Sequence, residues 1–530
     1  ISIRGANTDQ TLVLVDGVPI NGATSGLAAL NALPVESVDH VEILRGAAAS
    51  LTGASAIGGV VDIITREPRD QPFAGHASLG LGTYGTSRYA AGFDGGGHGW
   101  SYRVGASYGQ SAGYNATNRA NIYSYNPDRD GYYTHNVNGE LSYTWREGQK
   151  LTARVYDTRI NGGVDIDATR PFDERSIQTL QIASLRSDNR ITDFWHSALS
   201  VAVTLDKDLT HTAANDTTFA TRQAFYAWRN DLTLGKAQTL SINFEYLAQN
   251  ASGDIPSFGP DGAPGPMLDF TRTRRDDKSV AGIYAATFGA NHLRASLRGD
   301  RDSQFGPATT WGLNYGRDFT RALYGYVAAS TGYKAPTFND LYYPGYANPR
   351  LRPERSRNLE AGLKFTADTY TVGISAYHNT VRDLITYDPS QMKPENLDRA
   401  TLRGVTLSGE KRFRATTLRG SIDLQDPRND SSDKLLNRRA RQIYRAGIEH
   451  HDSAWRFGGD YQFVGARYDD IANRVPLGGY GLLNLTAGYQ IDRHLSVDVR
   501  WDNVLNRNYT TAYGYNTPGS NVFVTLRWRE

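Results

Sequence analysis

The sequence predicts an all-β membrane protein, a large antiparallel transmembrane β-barrel, and three observations support this. The 530 residues contain no run of about 18 apolar residues, so a transmembrane helix is not expected. From about His76 onward, apolar and polar residues alternate with a period of two over long segments. Tyrosine (32 residues) and glycine (54 residues) are abundant, which is typical of barrels with aromatic girdles and tight bends.

The alternation has the length that a tilted membrane-spanning strand needs. Segments such as 102–109, 483–490 and 522–528 each place apolar residues on one face and charged or small polar residues on the other. About 455 residues follow the first seventy, and roughly 20 residues per strand and connection give about 22 strands. Long polar inserts at Asp157–Ser176 and Gly253–Asp277 are predicted to be extracellular loops, as is Tyr342–Arg357.

Residues 1–70 differ in texture and are predicted to form a separate unit. Thr11–Ile20 indicates an apolar strand with an Asp-Gly turn, Val41–Arg45 a second strand, and Ala54–Thr65 ends in a third. A barrel of about 22 strands encloses a lumen wide enough to need a stopper. The sequence therefore predicts a small mixed α/β plug domain at 1–70 inside a barrel formed by residues 71–530.

Composition also limits the function. Lys and Arg (57) nearly balance Asp and Glu (55) and no basic run stands out, so nucleic acid is not an expected partner. The chain has no cysteine, which excludes disulfides and thiolate metal sites. No catalytic constellation emerges, so we expect neither an enzyme nor a redox or organic cofactor. A soluble all-β repeat protein such as a propeller is the alternative fold, but no blade-length repeat is visible.

Several blocks of residues resemble one family. Ile3–Gly5 (IRG), Leu12–Asn21 (LVLVDGVPIN) and Val41–Thr65 are similar to the plug of TonB-dependent outer-membrane receptors. Ser330–Lys364 resembles the same class, and Asn503–Trp528, with YGYNTPG, resembles the C-terminal end of its cobalamin (vitamin B12) transporters. In that family the plug begins some tens of residues earlier, with the energy-coupling TonB box. We therefore expect that the chain lacks the start of the plug.

The resemblance implies active uptake of cobalamin across the bacterial outer membrane. It implies a monomer surrounded by lipid and lipopolysaccharide, with the inner-membrane TonB complex as its energy source. A ferric-siderophore or haem receptor of the same fold is the first alternative, and a passive pore or adhesin is a further one. Anionic iron chelates call for cationic or aromatic pockets, and four arginines cluster near one loop, namely Arg350, Arg352, Arg355 and Arg357.

The resemblance also implies two sets of residues that contact substrate. The loop 21–31 would be the plug apex, where small residues permit close backbone approach to a bulky, largely neutral ligand. Loop tyrosines would pack on the same ligand. The alternatives are an ordinary turn and aromatic residues that cap the barrel rim. The positions are Asn21, Gly22, Ala23, Thr24 and Ser25 in the apex loop and Tyr342, Tyr343 and Tyr346 in the later loop.

Three charged residues of the plug are predicted to form ion pairs with the barrel wall. Arg4 and Arg45 lie in the two Arg-Gly blocks, and Glu42 lies beside the second block. An ion pair exposed to water in the lumen is weak, about 0–1 kcal/mol, which suits a plug that has to rearrange. The alternative is that these residues only stabilise the plug itself.

An Asp-x-Asp-Gly spacing at 128–131 places two carboxylates where they can share one hard cation. The resemblance implies Ca²⁺ in the extracellular loops, because cobalamin transporters order these loops with calcium through acidic positions. The candidate ligands are Asp128, Asp130, Asp165 and Asp173. Asn115 stands where the family pattern has an acid, and solvated loop acids are the alternative.

Overall fold

In the computed structural model the chain folds into a closed antiparallel β-barrel that encloses a small mixed sheet. The structure describes residues 3–46, 53, 56–168, 172–258, 264–388 and 391–530. Twenty-four strands lie in the barrel ring, but β13 (Gln238–Phe258) also pairs directly with β15 (Arg274–Phe288), and β22 (Thr416–Asn429) with β24 (Gln442–Asp452). The intervening β14 (Pro264–Leu268) and β23 (Lys434–Leu435) are hairpin extensions, so 22 strands close the barrel, as the sequence predicts.

The remaining barrel strands follow one another around the ring in chain order, and β30 pairs with β5 to close it. Those of the first half are β5 (Ala74–Gly82), β6 (Thr86–Gly97), β7 (Trp100–Ser111), β8 (Tyr132–Arg146), β9 (Gln149–Gly163), β10 (Arg175–Arg190), β11 (Trp195–His211) and β12 (Asp216–Gly235). Those of the second half are β16 (Asn291–Asp302), β17 (Gly306–Asp318), β18 (Leu323–Lys334), β19 (Glu354–Thr366), β20 (Tyr370–Asp388), β21 (Lys393–Phe413), β25 (Trp455–Val464), β28 (Tyr480–Gln490), β29 (Leu495–Asp502) and β30 (Asn521–Arg529).

The predicted alternation is confirmed by burial along the strands. Arg103 of β7 is buried against the lumen contents, whereas its neighbours Val104 and Tyr108 are exposed on the outer wall. On β30, Val522, Val524, Leu526 and Trp528 are all exposed. A band of apolar and aromatic side chains therefore covers the outside, as a barrel in lipid requires. Within the described ranges, no helix has both the length and the apolar character needed to span a bilayer.

Connections are short at one end of the barrel and long at the other. At the short end, turns such as His98–Gly99 and Arg414–Ala415 have two residues. The predicted long inserts are at the opposite end, but they are not wholly loop. Strand β9 continues to Gly163 and strand β13 to Phe258, because neighbouring strands keep pairing beyond the apolar band. The third insert, Tyr342–Arg357, begins at the last residue of a five-residue α-helix, Phe338–Tyr342, called here the loop helix.

The early residues form a four-stranded mixed sheet inside the barrel. Its order is β2 (Val18–Pro19), β1 (Thr11–Val15), β4 (Gly59–Thr65), β3 (Val38–Arg45), with β1 parallel to β4. The described helical turns of this unit are the 3-10 segments Thr8–Gln10, Leu30–Ala32 and Val35–Ser37. Apolar side chains of β1 and β4 pack against barrel residues such as Tyr156 and Leu180, so the plug shares its core with the wall. Two further short strands, β26 (Arg467–Tyr468) and β27 (Pro476–Leu477), form a hairpin in a loop of the barrel.

Candidate functional site

The apex loop of the plug follows β2 and is braced from within by Asn21. The side-chain oxygen of Asn21 accepts a hydrogen bond from the Val13 backbone N–H at 2.7 Å. Its amide nitrogen donates to the carbonyl oxygens of Thr11 (3.1 Å) and Gly26 (2.9 Å). These three bonds occupy the side chain that was predicted to contact substrate. Asn21 therefore fixes the shape of the loop and does not present a free amide to a ligand.

The next residues of the apex loop lie against the barrel wall. The Thr24 N–H donates to the hydroxyl oxygen of Thr221 on β12 at 3.2 Å, and the side-chain amide of Gln223 donates to the Asn21 carbonyl at 3.0 Å. A Cβ on Gly22 would lie 2.6 Å from a carboxylate oxygen of Asp206 on β11. Glycine at this position allows the loop to approach the barrel wall closely. The sequence predicts that small residues here allow close approach to a ligand, whereas in the structure it is the wall that approaches.

The loop helix covers the apex from the other side. Backbone N–H groups of Phe338 and Asn339 donate to the carbonyl oxygens of Ala23 (3.0 Å) and Thr24 (2.9 Å). Gly22, Ala23 and Thr24 are consequently buried. The sequence predicts that these residues contact substrate, whereas in the structure the wall and the loop helix cover them. Of the predicted apex residues, Ser25 is the one that is exposed, and Leu27, which the prediction omitted from the contact set, is 45% exposed beside it.

The predicted loop tyrosines belong to a larger aromatic cluster above the apex. The Tyr343 ring lies 5.7 Å from the rings of both Phe219 and Tyr346. Tyr342 receives a hydrogen bond from the side-chain amide of Gln304 at 2.6 Å and contacts Phe338. Sequence reasoning missed Phe219, Phe270 and Phe338, which pack with Ala23. They come from three distant segments, and two of them, Phe270 and Phe338, lie outside the strands, so no strand pattern groups them. Tyr346 is the most exposed of the three tyrosines, so it is the one available to a ligand.

The four clustered arginines do not form a cationic pocket in the lumen. On β19, Glu354, Ser356 and Asn358 are buried towards the plug. Because side chains alternate along a strand, Arg355 and Arg357 point to the outer face. Arg352 donates to a carboxylate oxygen of Asp383 at 2.5 Å, which neutralises its charge. Arg350 is exposed in the preceding loop.

One of the predicted plug–barrel ion pairs is present. Arg4 donates two hydrogen bonds to the Glu360 carboxylate of β19, at 2.6 and 2.7 Å, and the Tyr326 hydroxyl donates to the same carboxylate at 2.7 Å. The guanidinium also lies 4.7 Å from the centre of the Tyr377 ring. Burial alone lowers the pKa of Arg4, but the hydrogen bonds and charge of Glu360 outweigh it and raise the pKa above its usual value.

The other two predicted ion-pair residues are placed differently. Glu42 is exposed on the plug strand β3 and lies 3.5 Å from His40 of the same strand, so its recorded partner is within the plug. Arg45 is exposed at the end of β3, and in the described part of the chain no carboxylate lies within 4.0 Å of it. Strand β3 is the edge of the plug sheet, and Glu42 on it is exposed. Arg45 lines a cavity together with the barrel residues Tyr326 and Glu360, but forms no ion-pair contact there with any described residue.

Two plug–barrel contacts were not anticipated. Lys334 at the end of β18 is almost fully buried, and its ammonium lies 2.8 Å from the Asp9 carboxylate of the plug and 3.8 Å from Glu354. The side-chain amide of Gln10 donates to Glu354 at 2.9 Å. Lys334 lies in the stretch Tyr333–Pro336, and no local pattern in this stretch indicates that its partner is more than 300 residues away in the chain.

Three of the four predicted metal ligands come together at the extracellular end. Oxygen atoms of Asp128, Asp130 and Asp165 all lie within 4.8 Å of one another. Burial and the neighbouring charges of Asp165 and Asp128 raise the pKa of Asp130 to about 6. The pKa of Asp165 is also raised, first by burial, and Thr117 donates a short hydrogen bond to its carboxylate. Mutual repulsion among three carboxylates at this distance favours a proton or a cation between them.

Asp173, the fourth predicted ligand, is outside this acidic cluster. Its carboxylate is exposed and lies 3.4 Å from the Arg175 guanidinium. The neighbouring Glu174 is the buried acid, and it accepts hydrogen bonds from the Ile166 and Asp167 backbone N–H groups. The Asn115 side chain accepts from the Thr117 N–H at 3.0 Å and donates to the Asn126 carbonyl, so it braces the loop.

Comparison with known proteins gives consistent results along the whole chain. Residues 67–504 match the sequence model "TonB dependent receptor-like, beta-barrel", and residues 1–60 match "TonB-dependent Receptor Plug Domain". The chain is 29% identical to a vitamin B12 transporter BtuB of Vibrio vulnificus and 25% identical to one of Photobacterium profundum, covering all of this chain and 86% of each relative.

Solved structures show the same fold at lower identity. A mutant of the ferric enterobactin receptor PfeA of Pseudomonas aeruginosa aligns with a TM-score of 0.85 at 17% identity, covering all of this chain and 92% of the other. The siderophore receptor PirA of Acinetobacter baumannii gives 0.85 at 16%, and the copper transporter OprC gives 0.86 at 15%, with the same coverage.

Proposed function

The chain belongs to the TonB-dependent receptor family, and from that premise we propose that its cargo is cobalamin. As a member of the family it is a TonB-dependent transporter of the bacterial outer membrane. Receptors of this family bind large substrates and interact with TonB, and the family consists of transporters rather than enzymes. The relatives named as vitamin B12 transporters support this choice of cargo. The residues that face the space above the plug apex, called here the vestibule, support it as well.

The observation that carries the proposal is the uncharged surface at the apex. Ser25, Leu27 and Asn31 are the exposed residues of the apex loop, Tyr346 is the exposed tyrosine near it, and none of the four carries a charge. The arginines that would suit an anionic chelate point outward, like Arg355, or pair with a carboxylate, like Arg352. A bulky and largely neutral ligand fits a mostly apolar site with a few polar contacts.

A ferric-siderophore or haem receptor remains the second candidate. Aromatic side chains also suit iron chelates, and the vestibule contains a cluster of six, formed by Phe219, Phe270, Phe338, Tyr342, Tyr343 and Tyr346. A passive pore is disfavoured because the plug is joined to the wall by Arg4–Glu360 and Asp9–Lys334. A protein that acts only as an adhesin would not need a plug inside its barrel.

The same contacts suggest how transport proceeds. Cargo binds at the outer side, where the apex loop is held by Thr221, Gln223 and the loop helix. The outer membrane is leaky to small ions and supplies no gradient, so the energy comes through TonB from the inner membrane. A pull on the plug then breaks a limited set of polar contacts with the wall. Because some of these, such as Arg4–Glu360, face a lumen that water can enter once they open, they can break and re-form.

We also propose that Ca²⁺ orders the extracellular loops through Asp128, Asp130 and Asp165. Calcium prefers carboxylate oxygens, and three of them converge here. Burial, and after it the charges of Asp165 and Asp128, raise the pKa of Asp130, so the negative form of the cluster is disfavoured without a cation, as expected for residues that fit one. Bound calcium would supply positive charge that joins the loop before β8 to the loop after β9. Asp173 is not part of this proposal.

Equilibrium binding to the purified protein tests the cargo. We expect cyanocobalamin to bind with a Kd well below 1 μM, more tightly with calcium than with a chelator. Ferric enterobactin, a triply charged catecholate, should bind at least a hundredfold more weakly. Tight binding of the ferric catecholate together with micromolar or weaker cobalamin binding would assign the protein to iron uptake instead.

A further inference from the structure

The outer face of strands β20–β22 changes abruptly from apolar to charged on its extracellular half. Ala376, Val405 and Leu424 are cross-strand neighbours in one row. The next outward-facing row towards the long loops consists of His378, Arg403 and Asp426. These rows face away from the lumen, because the intervening residues Tyr377 and Leu402 contact the plug.

Asp426 is shared by three guanidinium groups. Arg403 lies 2.8 Å from its carboxylate, Arg428 lies 3.0 Å from it and Arg441 lies 3.4 Å from it. Asp433 contributes one further carboxylate, 3.2 Å from Arg428. Arg403 and Arg441 are more than half exposed, so their positive charge is only partly compensated and is open to the surroundings. We call Arg403, Asp426, Arg428 and Arg441 the girdle patch.

The girdle patch lies at the edge of the hydrocarbon region. At the other end of β21, the ammonium of Lys411 lies 4.5 Å from the Phe413 ring and 6.0 Å from the Tyr370 ring, which is typical of the opposite interface. The eight residue steps from Arg403 to Lys411 span about 26 Å along the strand, or about 20 Å after a tilt of roughly 40°. That height approaches the apolar band of about 25 Å.

Two rows below the patch, the outer face is aromatic on the neighbouring strands. Tyr444 of β24 is the cross-strand neighbour of outward-facing Ile422, and its ring stacks on Phe463 of β25 at 5.4 Å. The outer face therefore has charge at the patch and apolar and aromatic residues below it, which is the profile of an amphiphile with an anionic headgroup.

We propose that the girdle patch binds a phosphate group of lipopolysaccharide, the phosphorylated glycolipid of the outer leaflet. A phosphate monoester carries between one and two negative charges near neutral pH and offers three oxygens to guanidinium groups. At the edge of the hydrocarbon region the local dielectric constant is lower than in water, which strengthens such pairs. The phosphate competes with Asp426 for the three arginines, and the acyl chains lie along the apolar rows below.

Binding of defined lipids to the delipidated full-length protein in detergent tests the proposal. The probes are diphosphoryl lipid A, monophosphoryl lipid A and phosphatidylglycerol. We expect affinity to fall in that order and to weaken with salt. The variant Arg403→Gln/Arg428→Gln/Arg441→Gln should bind diphosphoryl lipid A at least tenfold more weakly. The matched control Arg412→Gln/Arg419→Gln/Arg456→Gln removes three paired arginines near the short turns and should leave this affinity within twofold.

A second variant gives a change of opposite sign. Asp426→Asn removes the competing carboxylate, so it should bind diphosphoryl lipid A more tightly, by about threefold or more. Resistance of the folded barrel to SDS at room temperature establishes that each variant is folded. Equal affinity of patch and control variants, no gain from Asp426→Asn, or equal binding of phosphatidylglycerol would each overturn the proposal.

Discussion

The guanidinium of Arg4 on the plug and the carboxylate of Glu360 on the barrel form a bidentate ion pair, although the two residues are 356 positions apart in the chain. Both side chains are largely buried, and Tyr326 and Tyr377 complete the surroundings of the pair. The pair therefore joins the plug to the barrel wall. Because it is buried, removing one of its partners costs more stability than removing one partner of an exposed ion pair on the barrel.

Replacing Glu360 by alanine should loosen the plug. Arg4 would keep a charge without a partner in a largely buried site, and removing one member of a buried pair costs about 3–5 kcal/mol. We expect faster hydrogen exchange at the plug strand Leu12–Val15. The control Asp383→Asn breaks the pair with Arg352, which is 65% exposed, and keeps a residue that tolerates the positive φ of 56° at this position, so it should cost about 0–1 kcal/mol. Unchanged exchange in Glu360→Ala would mean that the pair does not anchor the plug.

Calcium affinity should depend on pH through Asp130. The pKa of its carboxyl is about 6, above the ordinary value of about 3.9, so without metal the folded loop holds a proton that the unfolded chain has lost. Folding stability without calcium should accordingly fall as pH rises from about 4 to 6. Calcium requires the carboxylate, so its affinity should fall as pH drops below 6, by about tenfold per pH unit. Calorimetric titration at pH 7.5 and pH 5 would measure this. Asp130→Asn should reduce the dependence to the part contributed by Asp165, whose pKa is also raised.

Substitution of two aspartates that were predicted as ligands should affect calcium affinity to very different extents. Asp128→Asn removes a carboxylate from the acidic cluster, and we expect calcium affinity to fall at least tenfold. Asp173→Asn removes an exposed carboxylate that pairs with Arg175, and the affinity should change by less than twofold. Both variants replace a carboxylate by an amide in an extracellular loop. An equal loss in both variants would place Asp173 among the ligands after all.

A bulky side chain at the exposed part of the apex should block cargo. Ser25 is exposed at the plug apex, so Ser25→Trp should fold normally and lower cobalamin affinity by at least tenfold. Ser431→Trp makes the same change in the exposed hairpin after β22 and should have no effect on affinity. Fluorescence or calorimetric binding measures both variants. Full affinity in Ser25→Trp would place the cargo away from the apex.

The sequence by itself determined the architecture. A period of two over segments of about ten residues fixes which side chains face lipid, and the chain length then fixes about 22 strands, as found. The outward position of Arg355 follows from the same alternation once the strand is assigned. The Asp-x-Asp-Gly spacing is equally local, and Asp128 and Asp130 lie in one cluster because only one residue separates them.

Contacts across the lumen were decided only by the tertiary structure. Closing the ring and seating the plug brings Glu360 to Arg4, Lys334 to Asp9 and Phe219 to Tyr343, and no local pattern encodes these distances. Glu42 pairs with His40 of the plug and not, as predicted, with the barrel, because β3 is the free edge of the plug sheet. Alternation gives each side chain its direction, whereas its partner depends on how distant strands meet around the barrel.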